Sequence, residues 1–297
     1  MDENQLAFAR ASRRFFRGAE WLSRLPGHNV RLARRWGRIA SPFVADRGSL
    51  ELSYCQAFGA TQKVASDLVD QWLASHGLFA TSIFSYKRMN PEWVQRFVAI
   101  DQAEVIQSLR AQGGLVLTYH SHHHNTLGIV LGQSGVCTWG VAATEKASPM
   151  APYTGRFMRI INGESEAKFG GGRYLFTDEP RNLLRGLKEA FASNHAVVSL
   201  CDNPVPQGDD TAILFRGKKF FVGAGVVEMA LSLNVPITLA LLCPDLRGKY
   251  QLRLKALPTG LSTHEVQQAY FDFLSECVAE MPWAWQGWHW FSDLPLA

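Results

Sequence analysis

The chain has 297 residues, 47% of them hydrophobic, 19% charged and 11% aromatic, with a formal net charge of +4. That composition excludes a disordered or low-complexity chain and allows a sizeable buried core, in one large domain or two small ones. The charge is too small to argue for nucleic acid, and no run of about 18 apolar residues offers a transmembrane helix.

The charge is concentrated at one end. Residues 1–40 hold nine Arg (Arg10, Arg13, Arg14, Arg17, Arg24, Arg31, Arg34, Arg35 and Arg38) against Asp2, Glu3 and Glu20, a net of +6. The remainder is therefore slightly acidic. The basic start lacks the apolar core of a secretory signal. Residues 5–24 read as an amphipathic helix mixing Leu6, Phe8, Phe15, Phe16, Trp21 and Leu22 with the Arg set. Such a helix either lies on an anionic membrane surface or packs its aromatic side on the body and leaves its Arg in water. Pro26-Gly27 breaks it, and a second basic segment follows through Trp36.

Residues 50–80 read as helical, with Val64, Leu68, Trp72 and Leu73 at helix spacing and Ser66 as a cap. Pro91 to Leu109 reads as one further helix that ends at Gly113-Gly114. The pattern then changes. Short apolar strands are expected at 115–119, 136–142, 196–200, 236–242 and 250–254, with helices at 125–131, 180–193 and 225–233. The alternation predicts an α/β fold: a largely parallel central sheet flanked by helices, with a helical N-terminal cap. Residues 1–110 are expected to form the cap and 111–297 one α/β unit. Five Cys (Cys55, Cys137, Cys201, Cys243 and Cys277) are scattered without a CxxC pair, which suggests reduced, buried thiols in a cytoplasmic protein.

From Ala111 to Thr144 there are 34 residues with no Asp, Glu, Lys or Arg, yet they include four His, Ser121 and Asn125. Bland core does not use four His. The segment Tyr119-His120-Ser121-His122-His123-His124-Asn125-Thr126 follows a buried strand, where open α/β sheets place ligands. Three readings compete. His120, with Asn125 five positions on, suits a general base with one ring nitrogen held. His122, His123 and His124 offer imidazole to a metal, though adjacent His diverge and no HExxH spacing is present. The same three His also suit hydrogen bonds that cap a loop, the favoured reading for each of them.

Several blocks in order resemble the late acyltransferases of lipid A biosynthesis, the lauroyl/myristoyl-transferase branch of the lysophospholipid acyltransferase superfamily. The resemblance covers roughly residues 50–291. It rests on Leu109 through Gly114-Leu-Val-Leu-Thr-Tyr-His120, which looks like the strand leading into the family's His-x4-acid motif. It continues with Pro180-Arg-Asn-Leu-Leu-Arg-Gly-Leu-Lys188 and Ala196-Val-Val-Ser-Leu-Cys-Asp202, with Leu214 through Phe220, with Met229 through Pro236, and with Tyr250-Gln-Leu-Arg-Leu. The Trp-rich stretch Pro282 to Phe291 closes it. Core packing is the favoured reading of its Trp283, Trp285, Trp288 and Trp290, against an acyl groove or a membrane interface.

The resemblance implies direct transfer of a fatty acyl group from an acyl carrier protein or coenzyme A thioester to a hydroxyl or amine. The acceptor would be a lipid, a glycolipid or a small biosynthetic molecule. The thioester is a co-substrate, and no cofactor, metal or covalent acyl-enzyme is implied. His120 would be the base. Asn125 stands where the family has an acid, so it can orient the imidazole but cannot offset its charge; Asp202 is either the acid that compensates or a loop cap before Asn203-Pro204. The family's functional Arg falls near Arg156, Arg159 and Arg173, and these with His124 are the expected substrate contacts. The backbone amides of Asn125 and Thr126 are further candidates to hold an oxyanion. Expected partners are acyl carrier protein and a lipid or small acceptor, with no nucleic acid. The basic first helix would meet the carrier or rest peripherally on the inner face of the cytoplasmic membrane. Asn125 also motivates a different reading, a relative that binds acyl chains without turnover; a third is a metal hydrolase built on the His cluster.

Overall fold

The computed structural model describes residues 3–24, 30–40, 46–144, 160–205, 212–245 and 247–297, with the backbone alone for 3–9. The strands are β1 (Val98–Ile100), β2 (Gly114–Thr118), β3 (Thr138–Ala142), β4 (Tyr174–Phe176), β5 (Ala196–Leu200), β6 (Ile213–Phe215), β7 (Lys218–Phe220), β8 (Ile237–Pro244) and β9 (Tyr250–Ala256). Seven of them form one sheet in the order β1-β9-β8-β2-β5-β3-β4, and β6 and β7 form a separate hairpin. Every pair in the large sheet is parallel except β8–β9. The expected α/β fold with a largely parallel sheet is therefore what this sequence forms.

The period of two along each strand explains why helices cover both faces. Leu115, Leu117 and Tyr119 project into one core with Val197, Leu239 and Leu241. Val116, Val198, Ala240 and Leu242 alternate into the opposite core. The first core is covered by α3 (Arg47–Phe58), α4 (Gln62–Ser82), α8 (Pro180–Ala192), α9 (Gly225–Ser232), α10 (Thr263–Glu280) and the short α11 (Trp288–Phe291). The second is covered by α5 (Pro91–Phe97), α6 (Ala103–Gln112) and α7 (His124–Gln133). A third core joins Phe15 and Phe16 of α1 (Glu3–Ser23) and Ala40 of α2 (Val30–Ala40) to Phe79 and Ile129.

Three expectations are corrected. The segment 50–80 is two helices, because Gly59 takes the left-handed conformation (φ 60°) and Thr61, not Ser66, caps α4 by accepting from the Val64 amide. Pro91–Leu109 is not one helix either. Asn90 caps α5, but Val98, Ala99 and Ile100 leave it to pair with Tyr250, Gln251 and Leu252 of β9. The helical cap therefore does not extend to residue 110, since β1 is an edge strand of the sheet. The Pro26-Gly27 break lies outside the described residues. All five cysteines are unpaired thiols; Cys243 and Cys277 are buried and the other three half-buried. No described helix is long and apolar enough to cross a membrane.

Candidate active site

Adjacent parallel strands decide what meets at the sheet's carboxyl edge. β2 pairs with β5 so that Thr118 lies opposite Leu200. Two residues beyond each strand end stand His120 and Asp202. His120 Nδ1 lies 2.7 Å from Asp202 Oδ1, and the His120 amide donates to Asp202 Oδ2 at 2.8 Å. Trp285 Nε1 donates to the same Oδ2 at 2.7 Å. Asp202 is fully buried, whereas the His120 side chain is 25% exposed. A buried carboxylate is tolerable here because three donors converge on it.

The backbone around the pair is tied from several directions. Tyr270 of α10 donates its hydroxyl to the Thr118 carbonyl at 2.6 Å and accepts from the Cys201 amide at 3.4 Å. It thus clamps the chain just before both site residues. Tyr119 stacks on Tyr270 at 4.1 Å and donates to its carbonyl. The Gln286 amide donates to the His120 carbonyl at 2.7 Å, and Trp72 Nε1 of α4 donates to the Trp285 carbonyl at 3.0 Å.

Electrostatics follow from this geometry. Burial presses the His120 imidazolium toward deprotonation, but the Asp202 charge and hydrogen bond outweigh it and raise its pKa above 6.5. Burial works against the Asp202 anion, yet His120 and the donated hydrogen bonds hold its pKa below 3.8. With Nδ1 donating to Asp202, Nε2 is left as the basic nitrogen. None of the described residues hydrogen-bonds to it.

Asn125 does not orient His120, which corrects that expectation. Helix α7 begins at His124, so Asn125 is already turning within its first residues. Its Nδ2 donates to His124 Nε2 at 3.2 Å and its Oδ1 accepts from the Tyr174 hydroxyl at 3.3 Å. His124 in turn donates Nδ1–H to the Ser121 carbonyl at 2.7 Å. Both of its ring nitrogens are thus engaged within the protein, and burial with the nearby His120 charge lowers its pKa to about 4. His124 serves the loop as a neutral hydrogen-bonding cap.

The other His of the run are inward. His123 Nδ1 lies 3.3 Å from the Tyr250 hydroxyl. His122 is wedged between Trp72, at 4.6 Å between ring centroids, and His76, at 5.1 Å. Burial pushes the pKa of His122 well below 6.5 and that of His76 to about 4. Among the described residues, no group of three or more His, Cys, Asp or Glu side chains is placed to hold a metal ion.

The expected arginines do not gather here. Arg173 precedes β4, at the amino end of a strand parallel to its neighbours, whereas His120 and Asp202 follow carboxyl ends. It pairs with Glu189 at 3.0 Å and stacks over Trp139. Its position at the far end of the sheet removes it from the His120 site. Arg156 and Arg159 lie outside the described residues. The first-turn amides of α7, including those of Asn125 and Thr126, remain as donors positioned by the fold.

Among the described residues, no side-chain nucleophile is paired with His120. Ser121 is buried and donates its hydroxyl toward the Leu242 carbonyl at 3.4 Å. Burial pushes the Cys201 thiol up to about 12. Two residues that hold the site were not singled out from the sequence for that role, Trp285 and Tyr270. Trp285 was visible only as one of four clustered tryptophans.

No family model matches this sequence. No curated protein matches it.

Proposed function

We propose that this protein is an acyltransferase in which His120, held by Asp202, is the general base for direct transfer from a thioester. The observation that carries the reading is a buried carboxylate–imidazole pair whose Nε2 has no serine or cysteine hydrogen-bonded to it among the described residues. A base without a protein nucleophile acts on a nucleophile brought by the substrate.

The acceptor's hydroxyl or amine gives its proton to His120 Nε2 as its oxygen or nitrogen bonds to the thioester carbonyl carbon. The imidazolium that forms is stabilised by Asp202. The tetrahedral oxyanion is met by the first-turn amides of α7, where the helix dipole favours negative charge. Collapse breaks the carbon–sulfur bond, and the departing thiolate takes the proton back from His120. No acyl-enzyme forms. The donor is an acyl carrier protein or coenzyme A thioester, and the acceptor a lipid, glycolipid or small biosynthetic molecule. The reaction belongs to the cytoplasm or the inner face of the cytoplasmic membrane. The sequence resemblance supports this choice of donor, and Asp202 supplies the acid that the Asn125 position lacks. That supports turnover over mere acyl-chain binding.

The test is incubation of purified protein with carrier protein or coenzyme A bearing a labelled acyl chain, together with candidate acceptors. Label should move to an acceptor with release of free thiol, and His120→Ala should abolish the transfer. Transfer that survives His120→Ala would overturn the assignment.

A further inference from the structure

Helices α1 and α2 lie against α4 and against each other. Trp36 Nε1 donates to the Phe15 carbonyl at 3.2 Å, and the two rings stack at 6.1 Å. Gly37 and Gly77 let α2 and α4 cross at backbone distance, since an added Cβ at Gly37 would come 2.1 Å from the Leu73 carbonyl oxygen. The inner faces are thereby accounted for: Ser12, Phe15, Phe16 and Ala19 on α1, and Ala33, Gly37 and Ala40 on α2, are buried.

The outer faces are different. On α1, Arg10, Arg13, Arg14, Arg17 and Trp21 are exposed, and at about 100° per residue they fall in one arc of about 100°; Arg24, one residue past the helix, is exposed too. On α2 the exposed stripe is Arg31, Leu32, Arg35, Arg38 and Ile39. Glu20, bonded to Arg24, is the one acid with a described side chain on either helix. Arg10, Arg13, Arg14, Arg17, Arg31, Arg35 and Arg38 make no ion pair among the described residues. Like charges at helical spacing repel, so the fold itself gains nothing from this accumulation. Trp21 (63% exposed) and Ile39 (57%) stand among the cations as bare apolar groups.

We propose that the outer face of the α1–α2 hairpin docks on an anionic phospholipid bilayer, with the guanidiniums on lipid phosphates and Trp21 and Ile39 in the interfacial layer. One feature favours a bilayer over an acidic protein, since the Arg fork binds carboxylates as well as phosphates. The exposed apolar residues are scattered among the charges, as interfacial anchors are, and do not form one contiguous apolar patch. The surface also backs onto the site region, since Phe15 lies 4.9 Å from His76, which stacks at 5.1 Å on His122. The inference does not depend on the acyl-transfer reading, because its readout is binding alone.

The experiment is co-sedimentation of the full chain with vesicles of phosphatidylcholine alone and of phosphatidylcholine with phosphatidylglycerol, at low and physiological salt. Binding should require the anionic lipid and weaken with salt. The combined variant Arg13→Gln, Arg17→Gln, Arg35→Gln and Arg38→Gln should lose at least tenfold in affinity, from about fivefold per charge before screening. Wild-type tryptophan emission should blue-shift on adding anionic vesicles, and Trp21→Ala should lose most of that change while circular dichroism stays unaltered. Equal binding to both vesicles, or undiminished binding by the four-Gln variant, would overturn the proposal. So would Arg-dependent binding of soluble acyl carrier protein with no vesicle binding.

Discussion

His120 and Asp202 lie 82 positions apart in the chain, yet the β2–β5 register sets each two residues past a paired strand end and brings Nδ1 within 2.7 Å of the carboxylate. The partner of His120 is therefore supplied by sheet topology and not by the helix that follows it. This reassigns the roles that spacing alone suggested for Asn125 and Asp202, and the consequences can be separated by mutation.

Asp202→Asn keeps the shape of the site but removes the charge that stabilises an imidazolium. Transfer should fall by about 10³–10⁴, by analogy with the carboxylate of a catalytic triad. Asn125→Ala should cost transfer less than about tenfold but lower stability by about 1–2 kcal/mol, since it strips partners from His124 and Tyr174. Initial rates and denaturant midpoints of the two variants check this contrast.

Trp285 acts through Asp202. Trp285→Phe removes one of the donors that hold the carboxylate in its anionic form, leaving Asp202 a stronger acceptor for the His120 proton. The imidazolium is then favoured, so the acidic limb of the pH–rate profile should move to higher pH. Because His120 already titrates above 6.5 and must be neutral to act, wild-type activity should fall as pH drops through that raised value. A Trp285→Phe profile of unchanged midpoint would reduce Trp285 to a packing residue.

The neutral histidines set acid stability. His76 and His124 have folded pKa values of about 4, and His122 is held well below 6.5. Their folded values lie below the unfolded one, so their contribution is complete above about pH 6.5 and is lost as pH falls toward about 4. The slope is about 1.4 kcal/mol per pH unit for each histidine within that window. His122→Phe should flatten the loss measured by urea unfolding between pH 6.5 and 4, because the remaining ring cannot take up a proton.

The α2–α4 crossing tolerates no side chain. Gly37→Ala would drive Cβ into the Leu73 carbonyl and should destabilise the chain by about 1–3 kcal/mol in denaturant unfolding.

Much of the fold is legible in the sequence where period and punctuation agree. β2 is a short, mostly apolar run that opens at Gly113-Gly114 and closes on a polar loop, and α8 starts at its Pro180. Other elements are hidden for physical reasons. Val98, Ala99 and Ile100 fit the helical period of α5, and only pairing with β9 draws them out as an edge strand. β4 has three residues. Helix α10 carried an unread signal, the Ser262–Glu265 capping box. At the site, His120 lies within the uncharged stretch 111–144, beside the end of β2. The resemblance puts Asp202 forward as the compensating acid, but its contact with His120 follows from which strand neighbours β2, and no local pattern encodes that. Asn125 sits at the motif's spacing, but starting α7 at His124 turns its side chain toward Tyr174.

The most direct measurement is an NMR pH titration of the His120 ring in wild type, Asp202→Asn and Asn125→Ala. The account predicts a wild-type midpoint above 6.5 with the proton retained on Nδ1 in the neutral form, a lowered midpoint in Asp202→Asn, and little change in Asn125→Ala. A wild-type midpoint at or below 6.5 that is indifferent to Asp202→Asn would contradict it.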